Sequence, residues 1–445
     1  MASSFIIKEH KVEGQHIRDY AHATANSQEE ILYLSVKQYI PKSNPNPQPG
    51  DLTIIGAHAN GFVKVSLAII HTISLSSQFA NTFIKELYEP LWEDLVRALS
   101  THGIRIRSIF IADAAWQGQS GLINESSLGN DPSWYDHARD LLCVVNALRR
   151  EMPRPLVGIG HSFGGNTIVS LSLLHPRLFS SLVLLDPVIS KFAKRGPSYG
   201  FMPMKQSAYR RDVWPSRKEA AEGFRKNKFY QTWDKRCLDV LIRDGLRPVA
   251  EGKSEEVTLT TTKHMECFTY YRPKKQIGGS SELELPTPDL PPDQADPQFP
   301  FYRAEGTMTT HFLPHLRPGV LWVFGAKSDV CPPESREEKL ELTGTGWNGS
   351  GGAKAGRVEV VTVDGFGHLV PMEATTRCAE EAAEFIAKDL EKVWRKEDEE
   401  FRKVWKGVEG TEKRVLSKEF LELMGPPPGR NKKQPAAAGK EGAKL

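Results

Sequence analysis

An apolar run that ends in a Gly-His-Ser-Phe-Gly turn constrains this chain more than any other feature. Residues 155–165 read PLVGIGHSFGG, and residues 166–175 carry apolar side chains at helical spacing. Strand, sharp turn and helix follow in the order that presents a nucleophilic serine. Such a serine has a strained backbone, so Gly160 and Gly164 stand where side chains would collide with the helix. We predict that Ser162 is a nucleophile; the alternative is an inert Gly-Ser loop.

Strand and helix patterns alternate on both sides of this turn. Residues 133–150 predict a helix capped by Ser133, which leads directly into the strand before the turn. Apolar and β-branched runs predict further strands at residues 31–40, 51–57, 104–112, 181–187, 319–324 and 358–363. This alternation favours an α/β fold with a mostly parallel, doubly wound sheet.

A histidine and two aspartates follow the serine in chain order. His368 lies in the loop DGFGHLVP, between the strand 358–363 and a long helix, which suits the base of a Ser-Asp-His triad. Asp186 ends the strand 181–187, and Asp329 follows the strand 319–324 after a short loop. Both aspartates stand at the carboxyl ends of strands, so the residues alone leave the triad acid open between them.

The loop after the strand 51–57 reads His58-Ala59-Asn60-Gly61-Phe62. In serine hydrolases of the α/β class, this loop supplies one backbone N–H of the oxyanion hole, and the residue after the nucleophile supplies the other. We therefore assign the oxyanion hole to Phe163 and Asn60, with Ala59 as the alternative to Asn60.

Residues 65–85, VSLAIIHTISLSSQFANTFIK, lie between this loop and a helix that begins ELYEPLW. Connections of this kind are usually short, so the segment is anomalous. A membrane span is disfavoured, because His71, Gln78 and Asn81 interrupt an apolar run of marginal length. A second interpretation is an insert that covers substrate or touches lipid.

The third interpretation of residues 65–85 is a translated intron, and we favour it. The Val-Ser pair at its start can be encoded by GTAAGT, Ala80-Asn81 can carry a CTAAC branch sequence, and Lys85 can end in AG. Excision joins Gly61-Phe62-Val63-Lys64 directly to the helix without a frameshift.

Composition excludes several classes of function. The 58 basic and 55 acidic residues nearly cancel and form no basic stripe with interleaved aromatics, so nucleic acid is not an expected partner. The 5 cysteines are widely separated, which predicts neither a disulfide framework nor a zinc site. Pro314 would break the helix that could align His311 with His315. We predict no metal site and no cofactor.

Six motifs occur together: AHANGF, ELYEPLWEDL, DAAWQGQS, GHSFGG, LLDP and DGFGHLVP. Their combination resembles the fungal peroxisomal α/β-hydrolases of secondary metabolism, which include hydrolases of mycophenolic acid and AK-toxin biosynthesis. The resemblance covers residues 30–395 and implies the α/β-hydrolase fold with a helical cap. In that family the acid follows the strand after the nucleophile helix, which implies Asp186 rather than Asp329. Residues 65–85 depart from the family's pattern next to the oxyanion loop.

The chain is expected to divide into four parts. Residues 1–186 and 319–407 would form the hydrolase core, with a cap or lid and a Pro-rich linker at 187–318 between them. Residues 408–445 would form a flexible basic tail. The tail ends in Ala443-Lys444-Leu445, which matches the small-basic-leucine pattern of the peroxisomal address. A peroxisomal import receptor is therefore an expected partner.

Motifs and resemblance together predict a peroxisomal serine hydrolase that cleaves an acyl-CoA thioester through an acyl-enzyme. One alternative is a carboxylic ester hydrolase or an acyltransferase that acts on a secondary metabolite. Another is a binding protein that carries an idle triad on the same fold. No stable membrane span is expected.

Overall fold

The computed structural model describes residues 4–61, 83–191, 201–250, 254–273 and 300–426. Most of the anomalous segment, much of the Pro-rich linker, and Ala443-Lys444-Leu445 lie outside the described residues. The chain divides into a large unit, Met1–Trp394, and a small one, Arg395–Leu445.

Among the described residues, an 8-stranded sheet forms the centre of the large unit. Its strands are β1 (Phe5–Glu13), β2 (Tyr33–Pro41), β3 (Leu52–Ala57), β4 (Ile106–Ala112), β5 (Leu156–His161), β6 (Ser181–Leu185), β7 (Gly319–Gly325) and β8 (Val358–Val363). They lie in the order β1-β2-β4-β3-β5-β6-β7-β8. β2 pairs antiparallel with β1 and β4, and the other neighbouring pairs are parallel. The predicted mostly parallel sheet is thereby confirmed.

The central strands are buried along their whole length. Every residue of β3, β5, β6 and β7 is buried, as expected of parallel strands that are covered on both faces. β1 differs, because only Phe5 and Val12 are buried on it, and β2 is its one pairing partner among the strands that the structure describes. The sheet therefore has a well-packed centre, and its carboxyl ends carry the loops of the site.

Helices of the core connect these strands. They are α1 (Glu89–Thr101), α2 (Gly118–Ile123), α3 (Trp134–Ala147) and α4 (Phe163–Leu174), with α10 (Pro333–Leu342), α11 (Val370–Glu373) and α12 (Thr375–Asp389) after the cap segment. α1 packs against α12, and α3 packs against α4. Ser133 caps α3 as predicted, since its side chain accepts a hydrogen bond from the Tyr135 N–H.

The cap segment, residues 187–318, lies between β6 and β7. Its helices are α5 (Phe201–Tyr209), α6 (Arg217–Lys226), α7 (Lys235–Asp244), α8 (Lys263–Tyr270) and α9 (Glu305–Phe312). Short strands at Val213–Trp214, Leu246–Pro248 and Val257–Leu259 form an antiparallel sheet. A second small pair joins Arg272–Pro273 to Phe301–Tyr302. The aromatic centre of the cap segment includes Trp214, Phe224, Tyr230 and Trp233.

The small unit contributes two α-helices to the described residues, α13 (Arg395–Glu400) and α14 (Lys418–Met424), with a π-helical turn at Phe401–Trp405 and a 3-10 turn at Glu412–Arg414. Neither helix has a buried residue. Across the described part of the chain, every helix is too short or too polar to cross a lipid bilayer.

Candidate active site

The predicted nucleophile stands at the junction between β5 and α4. Ser162 has φ 56° and ψ −119°, a strained conformation for a residue with a side chain, and it is 4% exposed. A Cβ atom at Gly160 would collide with the Gly164 carbonyl, and one at Gly164 would collide with the Ala57 carbonyl. Both glycines therefore allow the tight turn that lifts the serine hydroxyl above the sheet, as the motif predicts.

Ser162, His368 and Asp186 form a continuous line of hydrogen bonds. The Nε2 atom of His368 lies 2.8 Å from Ser162 Oγ, and its Nδ1 atom lies 2.6 Å from Asp186 Oδ2. An ionised carboxylate can only accept, so Nδ1 carries the proton and Nε2 is free to accept from the serine. All three side chains are nearly or fully buried. The arrangement can remove a proton from the serine hydroxyl.

The two candidate acids have different surroundings. Asp186 follows β6 directly, is fully buried, and also accepts a hydrogen bond of 2.5 Å from the Ser328 hydroxyl. Asp329 follows β7 after a loop, and its side chain is exposed. The structure thus brings Asp186 to His368 and leaves Asp329 at the surface. Ser328 is not predictable as a partner of Asp186, because it belongs to no motif and stands beside the competing aspartate, Asp329.

The backbone amides near Ser162 distinguish Asn60 from Ala59. The Ala59 N–H donates to the Tyr88 hydroxyl at 2.9 Å, so it is already committed. Among the described residues, none accepts a hydrogen bond from the N–H of Asn60 or of Phe163. These two amides are available for an oxyanion, which favours the pair assigned from the sequence over Ala59.

The side chain of Asn60 is held from two directions. Its oxygen accepts from Gln117 Nε2 at 2.7 Å, and its amide nitrogen donates to the Glu266 carbonyl at 3.2 Å. Gln117 belongs to the loop after β4, whereas Glu266 lies on α8 of the cap segment. Gln117 also donates to Thr269 on α8, at 3.1 Å. The cap segment therefore contacts the oxyanion loop directly.

A buried ion pair on the cap segment packs against the loop that contains Asn60 and Gly61. Glu266 forms a two-pronged bond with Arg210, at 2.7 Å and 2.8 Å, and both side chains are 1% exposed. A Cβ atom at Gly61 would overlap the Glu266 carboxylate. The loop accordingly needs glycine at this position for the ion pair to fit.

The end of the anomalous segment is well packed. Phe83, Ile84 and Lys85 are each 1% exposed. Lys85 Nζ lies 2.5 Å from Asp113 Oδ2, and Asp113 also accepts from the N–H of Gln119. Burial alone would lower the pKa of Lys85, but the nearby carboxylates raise it to about 12. Lys85 is therefore charged and anchors the chain at the start of the 3-10 turn Lys85–Tyr88.

No cluster of three or more His, Cys, Asp or Glu side chains suited to a metal ion occurs among the residues that the structure describes. His311 lies near the end of α9, whereas His315 belongs to a separate turn, Leu313–His315, that contains Pro314. Both histidines are exposed. They are not aligned on one helix, as the position of the proline predicts.

Comparison with known proteins identifies the class to which this fold and site belong. Residues 82–382 match the model of the alpha/beta hydrolase family. The chain belongs to the α/β-hydrolase family and is an enzyme of the hydrolase type, which confirms the fold and family that the motifs indicate.

Comparison with individual proteins is more specific than the family model. The chain is 36% identical over 458 residues to the type I acyl-CoA thioesterase mpaH′ of Penicillium brevicompactum, with 97% of this chain and 98% of that protein covered. It is 27% identical over 280 residues to the abhydrolase domain-containing protein ACTT2-2 of Alternaria alternata, which covers 61% of this chain and 98% of that protein. Among solved structures, the peroxisomal α/β-hydrolase Lpx1 of Saccharomyces cerevisiae is similar in fold, with a TM-score of 0.64, 17% identity and 95% of both chains covered.

Proposed function

We propose that this enzyme hydrolyses acyl-CoA thioesters by way of an acyl-enzyme on Ser162. The line of hydrogen bonds from Ser162 through His368 to Asp186 carries the proposal, with distances of 2.8 Å and 2.6 Å. The thioesterase of Penicillium brevicompactum, similar over nearly the full length of both chains, points to the thioester as the bond that is cleaved.

Acylation begins with attack by the Ser162 oxygen on the thioester carbonyl carbon. His368 Nε2 takes the serine proton as the carbon–oxygen bond forms, and Asp186 stabilises the imidazolium. The carbonyl oxygen becomes negative and accepts hydrogen bonds from the Asn60 and Phe163 amides. When the carbon–sulfur bond breaks, His368 returns the proton to the sulfur, and CoA leaves as a thiol.

Deacylation repeats the sequence with water. His368 takes a proton from water as its oxygen attacks the acyl carbon, and the same two amides hold the oxyanion. The bond to Ser162 then breaks, the serine regains its proton, and the free acid leaves. A thiol with a pKa near 8.5 is a much better leaving group than an alcohol, so acylation by a thioester is the easier first step.

We propose that the enzyme works in the peroxisome, in the biosynthesis of a secondary metabolite or toxin. The final Ala443-Lys444-Leu445 match the peroxisomal address and would bind an import receptor. Fluorescent protein fused to residues 427–445 tests this directly. Punctate fluorescence that coincides with a peroxisomal marker, and that is lost in the Lys444→Glu variant, is expected; diffuse fluorescence of the unmodified tail would contradict the proposal.

We also propose that residues 65–85 are a translated intron. Phe62-Val63-Lys64 before the segment repeat the residue types of Phe83-Ile84-Lys85 at its end. In a chain without residues 65–85, a phenylalanine, a β-branched residue and a lysine would still precede Glu86. The buried positions of Phe83, Ile84 and Lys85 would therefore receive side chains of the same kind. Sequencing of the mature transcript tests this, and a dominant message that retains the segment would refute it.

A panel of acyl-CoA substrates with a thiol-reactive reporter tests the activity. We expect thiol release from at least one member, an acyl adduct on Ser162 by mass spectrometry, and no turnover by the Ser162→Ala variant. Hydrolysis of simple oxygen esters without thiol release from any acyl-CoA would instead identify an ester hydrolase. Inertness toward both classes would favour a binding protein.

A further inference from the structure

A buried chain of hydrogen bonds joins the oxyanion loop to the backbone of the catalytic histidine. The Ala59 N–H donates to the Tyr88 hydroxyl at 2.9 Å, and that hydroxyl lies 2.8 Å from His161 Nδ1. The Nε2 atom of His161 lies 3.0 Å from the His368 carbonyl oxygen. Tyr88 is 1% exposed and His161 is 0% exposed, so water does not compete for these bonds.

The direction of every bond in this chain follows from its ends. The Ala59 amide can only donate, so the Tyr88 oxygen accepts there and gives its own proton to His161 Nδ1. The His368 carbonyl can only accept, so His161 Nε2 must carry the imidazole proton. One tautomer of neutral His161 makes both bonds with Tyr88 as donor, whereas the opposite tautomer carries no proton on Nε2 and cannot donate to the His368 carbonyl.

The surroundings of His161 keep it neutral. Burial lowers the pKa of His161 well below its usual value, and the neighbouring His368 lowers it further. The two imidazole rings lie 5.3 Å apart. A charged His161 would donate from both nitrogens and so lose the bond from Tyr88. Because His161 is neutral, the chain of hydrogen bonds is preserved, and His368 is the ring that takes up the serine proton.

We infer that Tyr88 and His161 are positioning residues that hold the oxyanion loop and the His368 loop in fixed relation to each other. The bond to Ala59 fixes the peptide beside the Asn60 amide, and the bond to His368 fixes the backbone that carries the base. This inference rests on the proposed function, because it assumes that Asn60 stabilises the oxyanion and that His368 is the base.

Three variants distinguish the two ends of this chain of hydrogen bonds. Tyr88→Phe removes both bonds made by the hydroxyl. His161→Asn places an amide oxygen where Nδ1 accepts from Tyr88, but the shorter side chain does not reach the His368 carbonyl. His161→Gln places an amide N–H near Nε2 and keeps the His368 bond, while Tyr88 loses its acceptor.

Tyr39→Phe is a matched control for Tyr88→Phe. Tyr39 lies on β2, is 0% exposed, and donates through its hydroxyl to Glu89 Oε1 at 3.1 Å. The control therefore also removes one buried tyrosine hydroxyl from the same unit, but its bond does not involve the oxyanion loop or the His368 loop. Each protein is compared by its melting temperature, by the rate at which a fluorophosphonate labels Ser162, and by kcat and KM for acyl-CoA.

We expect Tyr39→Phe to label at the wild-type rate and Tyr88→Phe to label about 10- to 100-fold more slowly at a comparable melting temperature, because small misplacements of catalytic groups cost about this much. For acyl-CoA, kcat should fall and KM should stay unchanged. His161→Asn and His161→Gln should each label at least about 10-fold more slowly than the control.

Labelling of Tyr88→Phe within two-fold of the Tyr39→Phe control would overturn the inference. If Tyr88→Phe does not fold, the two His161 variants decide, and control-like labelling of both overturns it equally. Failure of the proposed function gives a different result, because a wild-type protein that is labelled but releases no thiol from acyl-CoA refutes only the thioesterase proposal. A wild-type protein that is not labelled at all refutes both.

Discussion

Asp186→Asn should nearly abolish turnover while the protein stays folded. The carboxylate oxygen that accepts from His368 Nδ1 at 2.6 Å is replaced by an amide that can turn its N–H toward the ring. That amide favours the tautomer with the proton on Nε2, which then cannot accept from Ser162. Loss of the correct tautomer in a triad costs about 10⁴-fold in kcat, or about 5.5 kcal/mol of barrier.

Asp329→Asn is the matched control, since it makes the same chemical change in the loop that follows the neighbouring strand, β7. Its side chain is exposed, so we expect a change within about 0.5 kcal/mol, or about two-fold. Thiol release from acyl-CoA at saturating substrate measures both variants, with circular dichroism to check their folding. A larger loss in Asp329→Asn than in Asp186→Asn would refute the assignment of the acid.

Three further predictions concern stability and the anomalous segment. Gly164→Ala should lower the free energy of unfolding by about 3 kcal/mol in urea titrations, because its Cβ would strike backbone carbonyls; an unchanged midpoint would contradict this. Deletion of residues 65–85 should leave a folded, active enzyme, and loss of soluble protein on deletion would count against the intron. Burial lowers the pKa values of His58, His137 and His161 below the usual 6.5, so the unfolded chain binds protons there first and stability should fall as the pH drops below 6.5. Burial raises the pKa of Asp136 to about 7, so the folded chain holds an extra proton there and offsets part of that fall. Asp136→Asn should remove the offset and steepen the slope, whereas a flat pH profile in both proteins would be inconsistent with buried neutral histidines.

Most of the sheet is predictable because the central strands are buried on both faces and read as unbroken apolar runs. β1 was missed, since only Phe5 and Val12 of its nine residues are buried and it carries no regular alternation. It forms because β2 offers an edge for antiparallel pairing, from Phe5 opposite Pro41 to Glu13 opposite Tyr33. Such pairing depends on the partner strand and leaves little pattern in the paired sequence.

The candidate site is predictable where a motif fixes the backbone, as at Ser162 and in the His368 loop. Chain order alone leaves the acid undecided, and only the family resemblance implies Asp186, because β6 and β7 are neighbouring parallel strands and both aspartates follow carboxyl ends at the same edge of the sheet. The two aspartates differ in burial and in the direction of their side chains, and chain order predicts neither property. Tyr88 lies in the motif ELYEPLWEDL, but its role is not predictable from that motif, because its partners Ala59 and His161 come from segments far apart in the chain.

The contact between α8 and the oxyanion loop constrains how this enzyme can diverge. Asn60 and Gly61 pack against Glu266, so a substitution of Glu266 would disturb the loop that we assign to the oxyanion. Adaptation to a new acyl group is therefore expected to accumulate in the rest of the cap segment, while α8 changes slowly. Directed evolution of this enzyme would do best to leave the Glu266 helix intact.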